Sequence, residues 1–289
     1  MPPAAPSLLR QLSHNSTPYR DPLTSLDWGA LDTRDYWLPP QAVSICGLPE
    51  FATLNDCVKR RLSQYEFINV MLCGLWMENL FIARLGAALA ADLGAAERTC
   101  LLHEIRDEAG HSLMFLKLIE ASRLPVPARA WRPPRLADLA ARRLPTDGLL
   151  FWLAAALGEA LPNGFNRYVR RHGAEVNSVI CEACKLHLVD EARHVAYARE
   201  QVESRLARTG PLRRRWLNAA LDVLLRQFAV RFYYPPAAFY ELAGLARGAW
   251  WRRAARADPR RREFMRESMA PAVRMLEQYG FRLGSFDRL

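Results

Sequence analysis

Residues 107–111 read Asp107-Glu108-Ala109-Gly110-His111, and residues 190–194 read Asp190-Glu191-Ala192-Arg193-His194. Both contain Glu-x-x-His, a spacing that on a helix places the two side chains on one face, one turn apart. A glutamate and a histidine so placed can ligate one metal ion or two adjacent ions. One such pair is a common accident on a solvated helix face; two copies in separate helical segments are much harder to obtain by chance. The stretches before each copy sharpen the reading. From Phe67 to Ala83 the only charged residue is Glu78, and from Gly148 to Phe165 it is Glu159. A carboxylate alone in a helix that is apolar nearly all round belongs inside the protein. There it must be neutral, paired or bound to metal, because burying an unpaired carboxylate is very costly.

The order is therefore Glu, Glu-x-x-His, Glu, Glu-x-x-His. This matches the ligand plan of ferritin-like carboxylate bundles, in which two helices each give a Glu and two each give a Glu-x-x-His. Mixed imidazole and carboxylate ligands suit iron or manganese. The expected fold is all-α: a ferritin-like four-helix core at residues 53–208, accessory helices at 211–280, and an irregular arm at 1–50, all in one domain. Helical patterning runs from about Thr53 to Leu93, from Ala95 to Ser122 and, after a Thr146-Asp147 cap, through a third segment that Pro162-Asn163-Gly164 interrupts or kinks. A fourth runs from about Ala174 to Arg208. Further helices follow at Leu212–Arg231, Pro236–Arg247 and Pro259–Tyr279, while Pro125–Pro145 reads as a connector.

Composition agrees with a core-forming enzyme. Half of the 289 residues are hydrophobic (51%), enough to bury a sizeable core. The formal charge of +10 comes almost wholly from arginine; the only lysines are Lys59, Lys117 and Lys185. Basic runs at Arg213-Arg214-Arg215 and Arg260-Arg261-Arg262 are read as solvated surface, with an acidic carrier protein as the alternative. No nucleic-acid recognition motif accompanies them. Met1–Pro6 lacks the features of a secretory signal, and the apolar run Gly148–Leu161 is too short to span a bilayer. A cytoplasmic protein that engages neither nucleic acid nor membrane is expected. Six cysteines in a chain this long do not make a disulfide framework. Cys181 and Cys184 form a C-x-x-C inside a helical pattern, read as two small residues on a helix face.

Asp107 and Asp190 are candidates to accept the second ring N–H of a metal-bound histidine, and Arg193 stands near enough to pair with one of them. Glu104, one turn before Glu108, is read as a supporting or solvated group. Another histidine narrows the reading. His187 lies four before Glu191 and seven before His194, so all three share one helical stripe.

Here the chain resembles the p-aminobenzoate N-oxygenase family of di-iron enzymes, over about Asn55 to Gly280. That family carries H-x-x-x-E-x-x-H on its last ligand helix, matched by His187-Leu188-Val189-Asp190-Glu191-Ala192-Arg193-His194. The resemblance implies a seven-ligand site of Glu78, Glu108, His111, Glu159, His187, Glu191 and His194 holding two iron ions. It also implies dioxygen as co-substrate, an external electron donor, and transfer of oxygen to an amine nitrogen in natural-product biosynthesis. The amine is a small molecule, free or carrier-tethered, and a homodimer is expected by analogy. An arginine on a late helix, Arg266 or Arg274, is the candidate to hold a substrate carboxylate. Trp76, Phe81, Phe151 and Trp152 are candidates to line the cavity or fill the core. The ligands alone do not separate nitrogen oxidation from hydroxylation or desaturation at carbon, nor iron from a manganese–iron pair. Iron storage and a nucleic-acid or zinc protein are the remaining alternatives; the first is disfavoured by the added arm and helices, and the second leaves the glutamates unexplained.

Overall fold

A computed structural model describes residues 8–286 and is helical throughout, with no strand among the described residues. Its α-helices, in chain order, are α1 (Leu8–Ser16), α2 (Pro22–Ser25), α3 (Pro49–Thr53), α4 (Asp56–Ala88), α5 (Ala95–Ser122), α6 (Arg135–Arg142), α7 (Leu149–Arg171), α8 (Ser178–Leu206), α9 (Pro211–Tyr233), α10 (Ala237–Leu242), α11 (Gly248–Ala257) and α12 (Pro259–Gln278). The most extensive packing is within two hairpins, α4 with α5 and α7 with α8. These four helices form the expected core. α12 covers α7, α9 lies across α4 and α7, and α1 and α2 lie on α5.

Local chemistry sets where the long helices begin. α4 starts at Asp56 rather than Thr53, because the Asn55 side chain caps it by accepting from the Val58 amide at 2.9 Å. α8 starts at Ser178 rather than Ala174 for the same reason, Asn177 accepting from the Val179 amide. The Thr146-Asp147 cap does not form; Gly148 occupies that position without a side-chain bond. The connector contains α6, and the segment read as one helix over Pro236–Arg247 stops at Leu242, with α11 following. The arm is also less irregular than its prolines suggest, since Leu8–Ser16 is helical and buries Leu12.

Pro162-Asn163-Gly164 does not break α7, which runs continuously to Arg171. Pro162 removes one backbone bond, but burial of the helix among α8, α9 and α12 outweighs that loss. Gly164 has a different purpose. A Cβ there would collide with the Ser268 carbonyl of α12, so the glycine sets the closeness of the α7–α12 crossing.

α4 is long and apolar enough, by length and composition, to cross a membrane. In this fold it is a core helix whose apolar surface is covered by α5, α9 and α10. Beside it lies a buried ion pair that sequence reading missed. Arg261 is only 3% exposed, donates to the Ala42 and Tyr233 carbonyls, and stands 3.3 Å from Glu66. The middle arginine of the 260–262 run is thus a structural tie between α12, α4 and the arm, not part of a surface patch. Burial leaves the Glu66 pKa raised, against the opposing pull of Arg261 and the Ser44 amide. Removing one partner leaves the other charge buried and unpaired. Arg261→Ala should therefore lower stability by about 3–5 kcal/mol in urea denaturation, and adding Glu66→Leu should recover part of the loss.

Candidate metal centre

The four core helices deliver seven side chains to one point in the bundle. α4 supplies Glu78, α5 supplies Glu108 and His111, α7 supplies Glu159, and α8 supplies His187, Glu191 and His194. None is more than 6% exposed. Glu78, His111, His187 and Glu191 each offer an atom within 4.8 Å of the others, and so do Glu108, Glu191 and His194. Glu191 belongs to both groups, the position of a bridging carboxylate. His187 Nε2 lies 3.1 Å from Glu191 Oε1 and 3.6 Å from Glu78 Oε1. His194 Nδ1 lies 3.2 Å from Glu108 Oε1, and His111 Nδ1 lies 3.4 Å from Glu108 Oε2. Glu159 adjoins Glu191 and faces the same cavity as Glu78 and His187.

The outward nitrogens of the two Glu-x-x-His imidazoles are held in a crossed pattern. His111 Nε2 is 3.2 Å from Asp190 on the opposite helix, and His194 Nε2 is 3.7 Å from Asp107. Asp190 thus bonds the histidine of the other motif, and Asp107 faces the histidine of Asp190's motif without a hydrogen bond. Arg193 bridges the two, reaching Asp107 Oδ2 at 3.0 Å and Asp190 Oδ1 at 2.5 Å. Arg106 adds a second cation to Asp107 at 2.8 Å. The sequence singles out both aspartates and Arg193; the crossing and Arg106 emerge only in three dimensions. Glu104 is buried, not solvated. It lies on the outer side of His194, 3.7 Å from Nε2, and burial raises its pKa to about 7.

His187 has its own support, also missed. Asn166 places its amide nitrogen 2.9 Å from His187 Nδ1. A metal at Nε2 requires the proton on Nδ1, which the Asn166 carbonyl oxygen accepts once the amide is turned over. Asn166 lies seven residues after Glu159 on the same helical stripe, a spacing that could have identified it.

The residues present fit a pair of cations. Both oxygens of Glu191, Oε2 of Glu78, Nε2 of His187 and the inward Nδ1 of His194 lack a hydrogen-bond partner. So many orphaned donor atoms converging inside a core are explained by an ion that they share. The electrostatics agree. Burial, then the neighbouring Glu108 and Glu191 carboxylates, push Glu78 and Glu159 far above the usual carboxylate range. Burial also acts on Glu191, but His187, a hydrogen bond from Glu159 and His194 outweigh it and hold that group at about 2. His111 is raised to about 9: burial opposes its charge, but Asp190 and Glu108 prevail. His194 is raised well above its ordinary value, where Glu104, Glu108 and Glu191 overcome burial. Glu78 and Glu159 are thus driven towards the neutral form, while Glu108 and Glu191 keep their charge.

Other candidate residues fall elsewhere. Arg266 and Arg274 lie on the exposed face of α12 and do not line the cavity beside the centre. They are therefore not placed to hold a substrate there, because the buried face of α12 is the one turned to α7. Trp76, Phe81, Phe151 and Trp152 do not line it either; the last three pack in the core, and Trp76 donates to Asp138. The wall is made instead by residues such as Phe67, Met71, Met114 and Phe232. Of the C-x-x-C pair, Cys184 reaches that wall while Cys181 lies beside the Gly173 carbonyl; both are free thiols.

Comparison with known proteins gives concordant results. A family model described as p-aminobenzoate N-oxygenase AurF matches residues 3–280. Similar curated relatives include uncharacterized protein Mb0909 of Mycobacterium bovis and uncharacterized protein Rv0885 of Mycobacterium tuberculosis. Each is 25% identical over 231 residues, which cover 76% of this chain and 67% of the relative.

Two outcomes follow from the geometry. In protein stripped of metal by a chelator, Glu78, Glu159, His111 and His194 all hold their protons to higher pH than free side chains do. Loading with ferrous ions should release protons, measurable by calorimetry in buffers of different ionisation enthalpy. Affinity should therefore rise with pH and fall as acid competes for the same atoms; a pH-independent affinity would contradict the assignment. Asn166→Ala should weaken one of the two metal sites by about 10–100-fold in a chelator competition, leaving the other nearly unchanged.

Proposed function

Because the chain belongs to the p-aminobenzoate N-oxygenase family, we propose that it holds two iron ions and uses dioxygen to oxidise the nitrogen of a small-molecule amine. The observation that carries this reading is the seventh donor. His187 turns Nε2 towards Glu78 and Glu191, adding an imidazole that a six-ligand carboxylate bundle does not need.

Two ferrous ions bound there would supply electrons to activate dioxygen. The net step is the conversion of an amine to a hydroxylamine. One oxygen atom enters the N–H bond, the other leaves as water, and an external reductant supplies two electrons with two protons. The protein's own groups provide the setting. Asp190, held by Arg193, fixes the tautomer and tilt of His111, Asp107 sets a negative charge beside His194, and Asn166 orients His187. Apolar side chains from α4, α5 and α9 keep water from the face of the centre that carries Glu78, Glu159 and His187. Carboxylates and imidazoles drawn together from four separate helices would hold two ions in a rigid frame, with that face turned to the apolar cavity.

The test begins with anaerobic ferrous loading. Wild type should bind about two irons per chain, and His187→Ala and Glu159→Ala should each bind less. Oxygen and a reductant are then added with a panel of arylamines, and products are read by mass and by chemical detection of hydroxylamine, nitroso or nitro groups. Oxygen found on carbon instead would assign the protein to the hydroxylases of the same scaffold. A single zinc that survives both substitutions would remove the di-iron reading altogether.

A further inference from the structure

A second concentration of charge lies against α4, apart from the metal centre. One face of α4 turns Val70, Met71 and Gly74 to the cavity beside the centre; another turns Asn69, Cys73 and Trp76 to a groove. The remaining walls of the groove come from the connector before α6, the end of α9, and α11. Each brings arginine: Arg129 and Arg132 from the connector, Arg231 from α9 and Arg252 from α11. The groove holds about 80 Å³, room for several waters.

Nothing among the described residues balances these four charges. No carboxylate lines the groove, and none of the four arginines is in an ion pair. Asp138 stands behind the wall residue Trp76, accepting from its indole at 2.9 Å, and is already held by Arg142 at 2.8 Å. Arg231 donates to the Arg132 carbonyl at 3.2 Å, which ties the connector to α9. The Arg231 and Phe232 carbonyls at the end of α9 accept from the Asn69 amide, so they do not present free negative ends to the groove. Arg252 is the exposed cost in this arrangement. It is half-buried, and its Nε is buried without an acceptor. Burial, then Arg256 and Arg231, act against its charge, and Tyr240 opposes them only in part. An N–H buried without an acceptor and a crowd of like charges are both unfavourable, and one bound anion relieves both.

We propose that this groove is a binding site for a phosphate group, carried on a phosphate monoester or as free phosphate. A guanidinium is a planar fork of N–H donors that matches two phosphate oxygens. A monoester carries about two negative charges at neutral pH and three acceptor oxygens, so it engages several forks at once. A carboxylate brings one charge and two oxygens. Trp131, 45% exposed at the rim, offers apolar surface to the organic part of an ester. None of the seven donors of the metal centre lines the groove, so the site stands whether or not the protein oxidises amines.

Binding of inorganic phosphate, phenyl phosphate and benzoate is measured by calorimetry, on metal-stripped protein and on iron-loaded protein freed of unbound metal. Phosphate or its phenyl ester should bind with a Kd below about 1 mM, and benzoate about 10-fold more weakly or worse. A tighter phenyl ester identifies an organic phosphate as the ligand; phosphate binding as tightly or more tightly identifies free phosphate; both support the site. Arg252→Gln and Arg132→Gln should each weaken binding on the order of 10-fold. Arg213→Gln, on the exposed start of α9, should not. Arg132 is exposed on the connector, so its variant tests the site even if Arg252→Gln does not fold. Affinity should be the same with and without iron. No binding, benzoate binding as well as phosphate, binding that survives the groove variants, or an equal loss through Arg213→Gln overturns the proposal. Tighter binding to the iron-loaded form moves the anion to the metal centre and overturns it as well.

Discussion

Four carboxylates, Glu78, Glu108, Glu159 and Glu191, meet in the interior of a helical bundle, and much of the structure answers to the cost of putting them there. Four negative charges at such separations cannot all persist in a medium of low polarity. Without metal, protons neutralise part of the set, and the burdened groups are Glu78 and Glu159, which come from the most apolar helices. With two divalent cations the charges balance, and the orphaned oxygens and nitrogens gain partners. The same atoms that would be a defect in an ordinary core thus become a high-affinity site. Bound ions, rather than water, would satisfy these polar groups in their apolar surroundings.

The supporting network has a simple logic. If each aspartate served the histidine of its own helix, α5 and α8 would be independent. Because Asp190 serves His111 and Asp107 faces His194, and because Arg193 spans both aspartates, the two motif helices are tied across the gap between them. Direct packing between α5 and α8 is sparse compared with that inside each hairpin. The crossed charges therefore hold the two hairpins in register where apolar contacts do little. His187 stands outside this network and relies on Asn166 of α7. Its separate support fits a ligand added to an already complete six-ligand frame.

Beyond the bundle, the arm and late helices enclose rather than extend it. α9 contributes Phe232 to the cavity wall, α12 packs on α7 at Gly164, and Arg261 locks the arm to α4 through Ala42 and Glu66. Of these elements, only α9 reaches the cavity wall, through Phe232; the rest brace the helices that form it. Its apolar character comes mainly from α4 and α5, and among the described residues no arginine lines it.

The all-α class, the four ligand helices and the seven buried donors were legible in the sequence, because each signal is local. Glu-x-x-His works through the helical repeat, and an isolated glutamate in an apolar helix announces its burial through the cost of being there. Asp107, Asp190 and Arg193 were visible for the same reason. What the sequence could not decide was every pairing between helices distant in the chain. The crossing of the aspartates, the link from Asn166 to His187 and the burial of Arg261 against Glu66 depend on which faces meet, and no spacing encodes that. The Pro162-Asn163-Gly164 reading failed because local breaking signals were weighed without the packing of α12, which overrides them. The structure places Arg266 and Arg274 on the exposed face of α12, because a helix shows one face to the core and the other to solvent, and only the packed structure settles which residue lies where.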